Sequence, residues 1–211
     1  DFGRTLVTGF KEYADKYAPD LKIVSEQAYP FSEKDYKPYL SKIKELNPDV
    51  IFASGYYFQT GLLLRQAREL GIESKILGEE GADSPKLVEI AGEAAEGFYI
   101  VTNFDRDDPR PVVQNFLKEF RSRHKFEPDM VGASAYDAFM IIVNAMKTAG
   151  TTDGKPVRDA IAATVGYDGL TGVMGGFDEI GEVVKPVQVQ VVKEGLFRHF
   201  GVVDDPELIK P

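Results

Sequence analysis

The stretch ASGYYFQTGLLLRQARELGIESKILGEEGADS, residues 53–84, decides the fold. It begins with the last two residues of DVIFAS (49–54), a short and nearly all-apolar run. That composition suits a parallel strand covered on both faces. Gly55 turns the chain. Helical spacing from Gln59 to Leu70 predicts a helix, and Gly71 suits its C′ position. Lys75–Leu77 predicts the next strand. Strand, helix, strand within so short a span implies parallel pairing. In open parallel sheets, binding residues collect just past the carboxyl ends of the strands. Tyr56 and Tyr57 follow the first strand directly, and Glu79 and Glu80 follow the second. Both pairs are expected on one rim.

The pattern continues outward in both directions. Thr5 to Tyr17 has helical spacing, with Leu6, Phe10 and Tyr13 on one side and Pro19 as its stop. Leu21–Ser25 reads as a short strand. Asp35–Leu46 reads as a helix with Tyr36, Tyr39, Leu40 and Ile43 on its apolar face, broken by Asn47-Pro48. A short helix at Pro85–Ala91 and a strand at Gly97–Thr102 follow. The polar run NFDRDDPRP (103–111) is a candidate crossover. Helices are expected at 112–124, 131–149 and 156–164. YDGLTGVMGGFDEIGEVVKP (167–186) reads as a second crossover with flexible turns. A hairpin of 187–192 and 196–200 closes the series, with Glu194-Gly195 at its turn. Residues 108–165 supply three helices and no convincing strand. An amphipathic helix must bury its stripe, so the sheet they need is expected outside this chain.

Composition narrows the chemistry. The chain has 211 residues, enough for one large domain or two lobes, and a chain of this size buries roughly 70% of its unfolded surface. A net charge of −9 argues against sequence-independent nucleic-acid binding, which needs a basic surface. With no cysteine, disulfides and thiolate sites are excluded. His124 and His199 lie far apart in sequence, so a histidine metal cluster is not expected. No apolar run approaches the roughly 20 residues of a membrane span. The chain opens on Asp1, and it is expected to be processed, trimmed or part of a longer protein.

Three readings of Glu79-Glu80 stand open. One carboxylate is solvated and the other caps a turn; or the two form a catalytic acid pair; or one holds a ligand cation through a charge-assisted hydrogen bond. A catalytic pair needs carboxyls opposed across a substrate, whereas neighbours at a strand end point in opposite directions. Tyr56-Tyr57 is either packing or a rim aromatic beside an acid, an arrangement that attracts an ammonium. Arg65 and Arg68 sit mid-helix on a solvated face. GEAAEG (92–97) lacks phosphate-cradling spacing, and YDGLTGVMGG lacks the lysine of a P-loop. Ser54 and Ser134 have no histidine at suggestive spacing and no nucleophile elbow.

Five segments in order, GYYFQTGLLLRQARELGI, ILGEEG, IAGEAAEGFYIVTNF, AYDAFMIIVNAMKTAG and GGFDEIGEVVKPVQVQVVKEGLF, resemble the periplasmic solute-binding proteins of branched-chain amino-acid ABC transporters. The resemblance covers the C-terminal three-fifths of such a protein. It implies an α/β, type I periplasmic-binding-protein fold: parallel sheet flanked by helices, two lobes joined by crossovers. Residues 1–103 would be most of the second lobe, 104–175 the returning part of the first, and 176–211 the crossover and hairpin returning to the second. It also implies that Tyr56 and Glu80 contact the ammonium side of a ligand, with Tyr57 counted in the same site. Phe2 matches an aromatic contact that is commonly tyrosine, and Val131 matches a cleft residue that shapes side-chain specificity. Glu79 stands where proline is frequent. The expected partners are a small solute (an amino acid or small carboxylate) and a membrane ABC permease, with no nucleic acid and no cofactor. The expected location is periplasmic or extracellular. Self-association is expected if the chain stands alone as a fragment. A ligand-sensing receptor or regulator domain is the alternative, and a hydrolase using Glu79 or Glu80 a remote one.

Overall fold

The structure is a computed structural model and describes residues 2–209. Its main sheet has five strands in the order β1-β2-β3-β8-β9: β1 is Val50–Ala53, β2 Lys75–Gly78, β3 Tyr99–Thr102, β8 Val187–Lys193 and β9 Leu196–Val203. The chain divides into two compact units, one of residues 1–100 with 191–196, the other of 101–190 with 197–211.

In the first unit β1 and β2 pair in parallel, with Ile51 opposite Ile76 and Ala53 opposite Gly78. Strands β2 and β3 continue in parallel, Gly78 meeting Ile100. Alternate residues of each strand are buried, Ile51 and Ala53 on β1 and Ile76 and Gly78 on β2, as a period of two requires. On the other face of β1, Phe52 stacks on Phe10 of helix α1 (Phe2–Tyr17), ring centroids 5.0 Å apart. Helix α2 (Lys37–Leu46) begins with proline in its first turn, where a missing N–H costs nothing. It ends at Asn47 in the left-handed region, just before Pro48. Helix α3 (Tyr57–Glu69) is covered along most of its length. Gly61 lets α4 (Pro85–Ala91) approach closely, because a Cβ there would stand 2.9 Å from Ile90 Cγ2. The turn from β8 to β9 places Glu194 and Gly195 both at positive φ, the geometry of a tight hairpin. Glu96 accepts both turn N–H groups, at 3.0 and 2.6 Å.

The second unit packs α5 (Pro111–His124), α6 (Met130–Ala149) and α7 (Gly154–Ala162) with two small antiparallel ladders. These are β4 (Tyr167–Gly169) with β5 (Gly172–Met174), and β6 (Gly176–Phe177) with β7 (Val183–Val184). Its core gathers Phe104, Val113, Leu117, Met130, Ala133 and Leu170. Arg106 is buried between the rings of Phe104 and Phe197, at 5.1 and 5.2 Å. It donates to Gln190 Oε1 and to the Pro128 carbonyl.

Two expectations change. No strand forms at 21–25: the segment is irregular, and Leu21, Ile23 and Val24 stay exposed, since nothing among the described residues takes up a ladder with it. The 167–174 stretch, expected as flexible turns, is an ordered hairpin. Buried Asp137 on α6 explains it. Its carboxylate accepts the Leu170 and Thr171 N–H groups and the Thr171 hydroxyl, each at 2.8 Å. Gly169 is required beside it, because a Cβ would fall 2.7 Å from Asp137 Oδ2.

Asp137→Ala strands two buried backbone donors, each worth about 1–3 kcal/mol when left unmet. Urea unfolding followed by circular dichroism is expected to show a loss of about 2 kcal/mol or more; a loss under about 0.5 kcal/mol would mean that water replaces the carboxylate.

Candidate functional site

The candidate site lies at the carboxyl ends of β1 and β2, within the first unit. Tyr56 is the N-cap of α3, in extended conformation, and is 38% exposed. Gln59, at the third helical position, accepts the Tyr56 N–H at 3.2 Å and donates to the Phe31 carbonyl at 3.0 Å. One buried side chain thus fixes both aromatic residues. Phe2, in the first turn of α1, stacks on Tyr56 with centroids 5.3 Å apart and planes 22° apart. Phe31 meets Tyr56 edge-on at 5.9 Å, and Phe58 lies parallel to Tyr56 at 6.1 Å. Phe31 is 66% exposed. An open aromatic surface results. Helix α1 is held there by the Ser54 hydroxyl, which reaches the Gly3 carbonyl at 3.5 Å.

The two glutamates part company. Glu79 is 5% exposed. Its Oε1 accepts the Gly55 N–H at 3.0 Å and its Oε2 accepts the Gly81 N–H at 2.6 Å. Glu80 is exposed and begins the 3-10 turn Glu80–Ala82. Gly81 has no side chain, so the edge of the Phe2 ring and the Glu79 carboxylate both come within about van der Waals contact of it; a Cβ would stand 3.2 Å from Phe2 Cε1. The structure therefore brings together Phe2, Tyr56 and the Glu79–Gly81 loop. Tyr57 opens α3, half-buried, with its ring edge-on to Phe58. Val131 belongs to the other unit, on α6, and is 64% exposed.

Burial pushes the Glu79 carboxyl above the ordinary glutamate range, and the charge of Glu80 adds to this, while the two backbone N–H bonds pull the other way. Tyr29 is also raised, first by burial and then by the negative charge of Glu79. Its hydroxyl donates to the Ser54 carbonyl at 3.1 Å. The two neighbouring glutamates thus sit in different environments, Glu79 buried and bound to backbone N–H groups and Glu80 in solvent. Among the described residues no group of three or more histidines or acids could hold a metal ion, and no helix is long and apolar enough to cross a membrane.

Sequence reasoning missed Phe31, Phe58, Gln59 and Tyr29. Gln59 carried a signal, a glutamine at the third helical position that reaches back to the N-cap. Phe31 carried none, because it lies in an irregular run. Arg68, expected in solvent, closes the loop after α3 by donating to the Ile72 and Ser74 carbonyls at 2.5 and 3.4 Å.

Residues 1–196 match the family described as periplasmic binding protein. The chain belongs to that family. Among its relatives, a leucine-, isoleucine-, valine-, threonine- and alanine-binding protein of Pseudomonas aeruginosa is 27% identical over 86% of this chain and 48% of its own length. A leucine-binding protein, LivK, from Thermotoga maritima superposes with a TM-score of 0.84 at 31% identity, over 94% of this chain and 57% of that one. The branched-chain amino-acid substrate-binding protein LivJ of Streptococcus pneumoniae, solved with isoleucine, gives 0.85 at 27% identity, over 96% and 57%. The fold is the type I periplasmic-binding-protein fold of these family members. The chain spans about half the length of the Pseudomonas relative.

The raised Glu79 carboxyl sets a sign. The folded state holds this proton more tightly than the unfolded chain, whose reference value is 4.5. Glu79 thus favours folding most below that value, and the contribution is lost as pH rises through the folded value. Melting temperatures of wild type and Glu79→Gln, compared from about pH 4 to about pH 7, are expected to diverge against the wild type as pH rises. A constant difference would contradict the shift.

Proposed function

We propose that this chain is the greater part of the ligand-binding apparatus of an extracytoplasmic solute-binding protein that supplies an ABC importer. The observation that carries this is the Phe2–Tyr56 stack, whose Phe2 ring lies against Gly81, next in sequence to exposed Glu80, at the carboxyl ends of two parallel strands. An aromatic face next to a carboxylate suits a small solute bearing an ammonium: the ring attracts the cation and Glu80 supplies a charge-assisted hydrogen bond. In this reading residues 1–103 form most of one lobe, 104–175 return to the other, and 176–211 cross back, with Val131 facing the solute's side chain. Tyr57 supports the rim through Phe58. Lobe closure over the solute is the change a membrane permease reads, and the protein works in the periplasm or outside the cell. Relatives that bind leucine or isoleucine make aliphatic amino acids the first solutes to try.

The test is isothermal titration calorimetry on the protein as its host makes it, with leucine, isoleucine and valine as titrants. Glu80→Gln is expected to weaken binding by about tenfold or more, the scale for removing one member of a desolvated charge pair. Unchanged affinity in that variant, or no binding of any amino acid by the wild type, would overturn the reading. Tyr56→Ala is expected to cost roughly 5- to 30-fold, about 1–2 kcal/mol for a lost cation–π contact.

A further inference from the structure

We propose that Glu79 is a positioning residue: its carboxylate bridges the loop after β1 to the loop after β2 and so fixes Tyr56 relative to Glu80. This rests on the reading of the rim as a solute site. Gly55 and Gly81 each donate their N–H to a different oxygen of this one carboxylate, at 3.0 and 2.6 Å, with residues 55 and 79 24 positions apart in sequence. Each bridged glycine is next to a candidate ligand contact, Gly55 to Tyr56 and Gly81 to Glu80. No other side chain here replaces it. Glutamine offers one acceptor oxygen and would turn a second donor toward the other N–H. Aspartate is one methylene shorter. Glu79 and Gly55 are buried and Gly81 is half-buried, so an unmet Gly55 N–H in particular cannot turn to bulk water. The groups that face the carboxylate electrostatically are Tyr29, from the irregular run before α2, and Glu80. The acidic pair of the sequence is thereby divided: Glu79 fixes the geometry and Glu80 meets the solute.

Amide proton resonances of Gly55 and Gly81, followed by NMR in 15N-labelled protein as its host makes it and without ligand, report the bridge directly. The expected result is a shared titration of both amides, with one midpoint above the ordinary glutamate value. Contacts between the Phe2 ring and the Gly81 α-protons are expected to weaken together with it. In Glu79→Gln the titration disappears. Leucine affinity of that variant is expected to fall at least fivefold, with Glu79→Asp retaining part of the loss.

Amides that do not titrate in the wild type overturn the bridge, with no variant needed. A bridge seen by NMR, with leucine affinity within twofold of wild type in Glu79→Gln but lost in Glu80→Gln, overturns positioning and leaves the solute site standing. If the wild type binds none of leucine, isoleucine and valine, the solute reading fails. Positioning is then judged from the Phe2–Gly81 contacts alone, and their persistence in Glu79→Gln overturns it.

Discussion

The parallel pairing of β1 with β2, which sets Ala53 against Gly78, determines where every candidate contact in the first unit falls. Parallel strands end on the same edge of a sheet, so the chain leaves both strands side by side and the next few residues must share the rim. Gly78 tolerates no side chain, since a Cβ would lie 2.5 Å from Phe98 Cζ. Beyond it, Gly81 gives up its side-chain volume to the Phe2 ring. The aromatic surface and the acidic loop are thus two consequences of one register, and a one-residue slip would turn both away from each other.

Much of this was legible from residue order alone. The alternation of strand and helix announced a parallel sheet, and the parallel-sheet rule placed Tyr56, Tyr57, Glu79 and Glu80 at strand ends. What stayed hidden depended on partners distant in sequence. The Leu170-Thr171 turn is unremarkable in local composition and is ordered by Asp137 on a helix 33 residues away. Leu21, Ile23 and Val24 have the composition of a strand, but composition cannot supply a neighbouring ladder. Phe31 joins the aromatic surface from an irregular run, its carbonyl held by Gln59. The unequal burial of two identical neighbours, Glu79 and Glu80, follows from alternation at a strand end; which of them turns inward does not.

The acidic excess also changes meaning in three dimensions. A net charge of −9 invites a search for a cationic partner. Several of these carboxylates instead act as fasteners for the backbone. Glu79 holds Gly55 and Gly81, Glu96 holds the β8–β9 turn, Asp137 holds the β4–β5 turn, and Asp178 holds the Ile180 and Glu182 N–H groups. A carboxylate with two acceptor oxygens can satisfy two turn amides at once, which suits a fold whose crossovers and turns are long. Glu80, exposed and without that duty, stands apart from this group.

The first unit is discontinuous: it takes residues 191–196 from the far end of the chain. Val192 exchanges backbone hydrogen bonds with Gly97 and Phe98. During synthesis the early part of this unit emerges nearly a hundred residues before the strand that borders β3. Until then β3 presents an open edge, and open edges recruit other chains. That makes β8, near the far end of the chain, the segment that ends this vulnerability to aggregation.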